Sequence, residues 1–159
     1  NAKAAPLFTA AGIDPNSTVA EKDLVIASII QKEAPSSTDE ALIAGIINKR
    51  LAAGMYLDFD TTICYIKQQQ AAALNNATSS TCSFLSRSDF QIDSPYNTYT
   101  HKGLPPTPIS NPGATAIEAA INPQSSPYVY YLSDPKTGEI IYAKTLAEQN
   151  ANQAKYLGK

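Results

Sequence analysis

The segment Leu24-Val25-Ile26-Ala27-Ser28-Ile29-Ile30 is apolar almost without interruption. It follows Thr18-Val19-Ala20-Glu21, which has the form of a capping box, and it precedes Pro35, which stops a helix. The pattern predicts a helix over about 19–34. A helix that is apolar nearly all round belongs inside a core, not on its surface, so the remaining chain must wrap around this one element. The 159 residues suffice for one domain with a real core and are too few for two comfortable ones.

What wraps it is mostly helical. Ser37-Thr38-Asp39-Glu40 starts a second helix, with Leu42, Ile43, Ile46, Ile47 and Leu51 as its buried stripe and Gly54 as its C-terminal cap. Met55 to Asp60 reads as a short extended segment leading to a site. Thr61 to about Gln70 reads as helical, and Ser86 to Asp93 as one short helix. Asn111-Pro112-Gly113 resembles an N-cap followed by proline at the first helical position, with a helix over 114–121. Tyr128 to Leu132 and Glu139 to Ala143 are two strands joined by the turn Asp134-Pro135-Lys136-Thr137-Gly138. Thr145 to Leu157 makes a last helix. The expected fold class is α+β: a helical majority around a buried central helix, a late β-hairpin and a C-terminal helix. Residues 1–17 form a lead-in, of which Asn1-Ala2 reads as a cloning remnant.

Composition excludes several functions. Apolar content of 43% with 16% charged residues fits a globular chain. A net charge of −2 with no basic cluster argues against binding nucleic acid through phosphates. No apolar run approaches membrane-spanning length. One histidine and two cysteines do not make a structural zinc site, and nothing calls for a metal or organic cofactor. Cys64 and Cys82 flank a polar stretch. A disulfide closing it stabilises by about 3 kcal/mol in the loop-entropy model and suits an oxidising compartment; the alternative is two unrelated thiols.

Two features point to chemistry. Glu33 continues the face of Ile26, Ile29 and Ile30, which desolvates its carboxylate, and it sits where the helix dipole is negative. Both disfavour the anion and raise the pKa, the condition for a group that donates a proton and takes it back. The alternative is a helix-end glutamate reaching into water. Glu118 is a weaker second candidate, placed on an exposed side. The second feature is the run from Tyr96 to Gly113. Four prolines within 105–112 fix its backbone, while Tyr96, Asn97 and Tyr99 offer rings, hydroxyls and an amide. His101 reads as a loop residue, not a base.

These residues resemble one family. Ala27-Ser28-Ile29-Ile30-Gln31-Lys32-Glu33, Arg50-Leu51, Gly54-Met55, Leu57, Asp60, Tyr96-Asn97-Thr98-Tyr99, Gly103-Leu104-Pro105-Pro106, Asn111-Pro112-Gly113 and Asn122-Pro123 resemble the catalytic half of the MltG-type (YceG-like) endolytic murein transglycosylases, over about residues 22–157. The resemblance implies a single catalytic domain over 18–159, cut from a longer membrane-anchored protein acting at the extracytoplasmic face of a bacterial membrane. It implies cleavage of peptidoglycan glycan strands between N-acetylmuramic acid and N-acetylglucosamine, leaving a 1,6-anhydro end. Cell-wall synthesis enzymes are the implied protein partners.

The family's catalytic glutamate falls on Glu33. Asp60, Thr62, Tyr96, Asn97, Thr98, Tyr99, Gly103 and Leu104 are the implied substrate-binding positions. Asn97 is expected to hold an N-acetyl group, Tyr96 and Tyr99 to stack on sugar faces or donate hydroxyl bonds, and Asp60 to orient the substrate or a partner of Glu33, or else to cap the Thr61 helix. Three positions depart from the family pattern: Gln31 where it carries a first glutamate, Lys49 where it tends to asparagine, and Thr61 where it tends to proline. The rival readings are a lysozyme-like hydrolase with Asp60 or Asp58 as base, and a non-catalytic glycan-binding or scaffold module.

Overall fold

A computed structural model describes residues 4–73, 82 and 85–158. The lead-in holds a short helix, α1 (Ala5–Ala10), whose Phe8 is buried in the core. The central helix is α2 (Thr18–Glu33). Its cap is Ser17, one residue earlier than the expected Thr18: the Ser17 hydroxyl accepts from the Ala20 amide at 3.2 Å. Val25 to Ile30 are all buried, as an all-round apolar segment requires.

Helix α3 (Ser37–Ala52) is capped by Ser36, which accepts from the Asp39 amide at 3.2 Å. Ile43, Ile46 and Ile47 are buried, with Leu42 and Leu51 at the margin. At its end Gly54 adopts φ +62°. The Gly54 and Met55 amides donate back to the Leu51 and Arg50 carbonyls at 3.1 and 2.9 Å, closing the helix. Residues 55–59 lead without regular structure into α4 (Asp60–Ala73). Cys64 on this helix is disulfide-bonded to Cys82, with Cα atoms 5.4 Å apart.

The expected helix over 86–93 is reduced to a single 3-10 turn, Asp89–Gln91. The Asp89 carboxylate accepts from the Ser86 amide and from Lys67, both at 2.8 Å, and these bonds hold its pKa down to about 2. Such side-chain bonds favour a turn over a longer helix. Helix α5 (Ala114–Ile121) begins after Gly113, not Asn111. The Gly113 amide donates to Gln31 Oε1 at 2.6 Å, so a tertiary partner replaces the expected asparagine cap. Strands β1 (Tyr130–Ser133) and β2 (Ile140–Ala143) pair antiparallel with Tyr130 opposite Ala143, through a turn in which Gly138 has φ +74°. Helix α6 (Leu146–Asn152), capped by Thr145, runs into a π-helical turn over Gln153–Leu157.

Helix α2 is the axis. It packs against α3, α4 and α5, while α6 covers the hairpin. Its C-terminal half also holds the proline-rich run. Ser28 Oγ accepts from the Ile109 amide at 3.0 Å, and the Ser28 carbonyl accepts from Ser110 Oγ at 2.8 Å. These bonds explain a fully buried serine in an otherwise apolar segment.

Candidate functional site

Glu33 is the last residue of α2. Its two carboxylate oxygens each accept one hydroxyl bond: Oε1 from Thr61 Oγ1 at 2.8 Å, and Oε2 from Tyr131 OH at 2.7 Å. Part of the residue as a whole stays open to solvent, while its carboxyl end is enclosed. Desolvation is the largest influence and pushes the pKa up; the Tyr131 and Thr61 bonds pull it down, and the Asp60 charge adds a smaller push upward. Desolvation wins. Tyr131 is held protonated by burial and by the Glu33 charge, so it keeps its hydroxyl proton throughout the range in which Glu33 titrates.

Three elements converge here. Helix α2 supplies the acid, the first turn of α4 supplies Thr61, and β1 supplies Tyr131. The Tyr131 ring lies 6.4 Å from Phe59 and 6.4 Å from Tyr142. Behind it, Gln149 on α6 donates from Nε2 to the Tyr131 carbonyl at 2.9 Å, fixing the strand that carries the hydroxyl.

The implied substrate residues divide into two groups. Thr62, Asn97 and Thr98 are buried and act on the backbone. Asn97 Nδ2 donates to the Phe90 and Ile92 carbonyls at 3.1 and 2.8 Å, and its Oδ1 accepts from the Tyr99 amide at 3.0 Å. The amide expected to hold an N-acetyl group is therefore committed to its own loop: fully buried, it shapes the site from beneath. Thr98 Oγ1 accepts from the Phe59 amide at 3.0 Å and lies 3.0 Å from Thr62 Oγ1, which donates to the Phe59 carbonyl at 2.7 Å. Together they fix the entry into α4, and so fix Thr61.

The second group faces outward. Asp60 is exposed and lies inside the first turn of α4, where it accepts from the Tyr99 hydroxyl. Burial, the hydrogen bond to Asp60 and the Asp60 charge push the Tyr99 pKa up, with the Asp58 and Glu33 charges contributing less. Tyr96 is half-buried; its hydroxyl lies 2.7 Å from Thr107 Oγ1 in the proline-rich run. Gly103 has φ +93°, a conformation that favours glycine, and Leu104 packs against the core.

Sequence reasoning missed Thr61, Tyr131 and the part played by Arg50. The buried Arg50 guanidinium donates to the carbonyls of Val129, Tyr56 and Leu57 at 2.8, 3.2 and 2.8 Å, and pairs with Asp58 at 3.4 Å. It thereby ties α3, the 55–59 segment and the approach to β1 into one frame. Asp58 itself adopts φ +53°; burial raises its pKa and Arg50 opposes the rise. The Asp-Thr-Thr departure from the family pattern was the available signal for Thr61, since threonine supplies a hydroxyl donor there and proline has none. Nothing local marks Tyr131. Among the described residues no group of three His, Cys, Asp or Glu is arranged to hold a metal.

Fold and site together define a small α+β domain built around one desolvated glutamate with a hydroxyl donor on each oxygen. The YceG-like family model matches residues 5–155, and the chain belongs to that family. It is 36% identical over 142 residues to an endolytic murein transglycosylase of Bacillus subtilis, covering 89% of this chain and 36% of the relative. It is 34% identical to one of Streptococcus pneumoniae, covering 84% of this chain and 23% of the relative. The crystal structure of a yceG-like protein from Listeria monocytogenes superposes with a TM-score of 0.73 at 39% identity, over 94% of this chain and 44% of that one. The chain thus spans about a quarter to a third of the length of the curated relatives it matches.

Proposed function

We propose that this domain is the catalytic part of an endolytic lytic transglycosylase, which cuts peptidoglycan strands between N-acetylmuramic acid and N-acetylglucosamine. Glu33 protonates the glycosidic oxygen, and the bond to the muramyl C1 breaks. The muramyl C6 hydroxyl then attacks the oxocarbenium-like C1, and Glu33 takes back that hydroxyl's proton, leaving a 1,6-anhydro end. Intramolecular attack has a high effective concentration, so the second carboxylate that hydrolytic glycosidases use to activate water is not required.

The observation that carries this reading is the setting of Glu33: a desolvated carboxyl with raised pKa and a rotatable hydroxyl on each oxygen. When Glu33 holds its proton, either hydroxyl can turn from donor to acceptor, so both protonation states stay bonded. The other two carboxylates are engaged, Asp60 by Tyr99 and Asp58 by Arg50. In the full-length protein the domain works at the extracytoplasmic face of the membrane, beside the enzymes that build the wall.

The test is digestion of purified glycan strands by wild type and Glu33→Gln, with mass spectrometry of the ends. Anhydro-muramyl ends from wild type, falling at least 10²-fold in the variant, are expected. Reducing ends would instead mean hydrolysis, with Asp60 or Asp58 as base. Undiminished binding without any cleavage would mean a glycan-binding module.

A further inference from the structure

Helix α4 carries the site away from Glu33. Thr61, Tyr65 and Gln69 follow one another at i, i+4 and i+8 and so share a face; Gln69 lies about 12 Å along the axis from Thr61 at the helical rise. On this side the surface opens into a groove of about 380 Å³ lined, among the described residues, by Tyr65, Gln69, Gln70, Asp93, Ser94 and Tyr96 and by no lysine or arginine. The Tyr65 and Tyr96 rings meet at 5.0 Å and 45°. The Tyr96 hydroxyl is anchored to Thr107, so this aromatic wall is held in place by the rigid proline-rich run. Tyrosine rings give apolar faces with polar rims. Glutamine carboxamides both donate and accept, as sugar hydroxyls and acetamido groups require.

We propose that this groove is a distal saccharide subsite that holds a neutral N-acetylglucosamine ring of the strand, remote from the bond beside Glu33. Its described lining, with one carboxylate and no cation, suits an uncharged sugar and disfavours the lactyl and peptide carboxylates that muramyl units carry. The identity of the sugar rests on the reading of the substrate as a glycan strand. The consequence is a requirement for length: a strand must extend along α4 to use the subsite, which favours cuts inside strands over cuts at their tips.

The test titrates chitotetraose into ¹⁵N-labelled Glu33→Gln protein, alone and combined with Gln69→Ala and Gln70→Ala. Alanine preserves helix propensity, and circular dichroism checks the fold. Expected are shifts of the Tyr65, Gln69, Gln70 and Ser94 amides, and about tenfold weaker binding when both carboxamides are removed. Shifts confined to residues around Glu33, no binding, or an affinity unchanged by the two alanines would overturn the subsite. The strand digestion separates this from the proposed activity. Groove shifts without cleavage sink the activity and leave the subsite; cleavage with a silent groove does the reverse.

Discussion

Tyr131→Phe removes one oxygen and leaves the ring in its contacts with Phe59 and Tyr142. That oxygen donates to Glu33 Oε2 at 2.7 Å, and its loss removes the largest of the hydrogen-bond contributions that oppose desolvation. A hydrogen bond to a charged group is worth about 1.5–3 kcal/mol net, and 1.36 kcal/mol is about one decade in an ionisation constant. Glu33 in the variant should therefore bind its proton about ten- to a hundred-fold more tightly than in wild type. Titration of the Glu33 side-chain carboxyl by ¹³C NMR reads this without substrate. In strand digestion, the alkaline fall-off that reports loss of the acid's proton should move upward by the same factor. Thr61→Val, which deletes the donor to the other oxygen, should move the titration the same way by a smaller amount. A Tyr131→Phe titration that overlays wild type, in a protein with unchanged fold, would refute the reasoning: it would mean that water or rearrangement supplies the bond and that Tyr131 does not tune the acid.

Glu33→Gln should raise stability at neutral pH. The folded chain holds the Glu33 proton more tightly than the unfolded chain, whose ordinary value is 4.5, so wild type loses stability as pH rises from about 4.5 through the folded value. The variant has no proton to lose; its melting-temperature advantage should grow from pH 4 to pH 7, and an advantage that shrinks instead would contradict the desolvation argument. Gly45→Ala should be destabilising by about 1–3 kcal/mol despite alanine's better helix propensity, because its Cβ would lie 2.0 Å from the Gln124 carbonyl oxygen, in a segment tied to α3 by the Gln124–Ala41 bond. A urea midpoint at or above wild type would show that the turn yields. Asn97→Ala strands the Phe90 and Ile92 carbonyls and the Tyr99 amide and should lower stability by at least about 3 kcal/mol; thermal denaturation checks it, and a loss below 1 kcal/mol would indicate that water replaces the amide.

The elements set by local pattern were legible in the sequence, and those set by partners were not. Val25 to Ile30 could only be buried, Gly54 could only end α3, and the Asp134–Gly138 turn could only fold back one strand on the other. The helix starts moved by one residue because two adjacent hydroxyl residues compete at each cap, Ser17 with Thr18 and Ser36 with Ser37, and only the geometry chooses. Asn111 failed as a cap because Gln31, 82 positions distant, bonds the Gly113 amide instead. The candidate site follows the same division. Glu33 was visible from its place on an apolar face, whereas the roles of Asn97 and Thr98 inverted. Polar residues beside aromatic ones read alike in sequence whether they face a ligand or brace a loop, and only burial separates the two.

The unseen half of the site also explains how one residue can be both desolvated and ionisable. Burial alone would keep Glu33 protonated and make it slow to release its proton; hydroxyl bonds alone would keep it ionised. The two opposing influences on Glu33 come from separate parts of the chain. The apolar stripe of α2 sets the burial. Thr61 arrives 28 positions later on α4, and Tyr131 arrives 98 positions later on β1. Arg50 and Gln149 fix those approaches through backbone carbonyls, so they act on the proton without touching the carboxylate. A substitution at either position should therefore move the Glu33 titration as well as the melting temperature. A purely structural brace would change stability and leave the titration where it was.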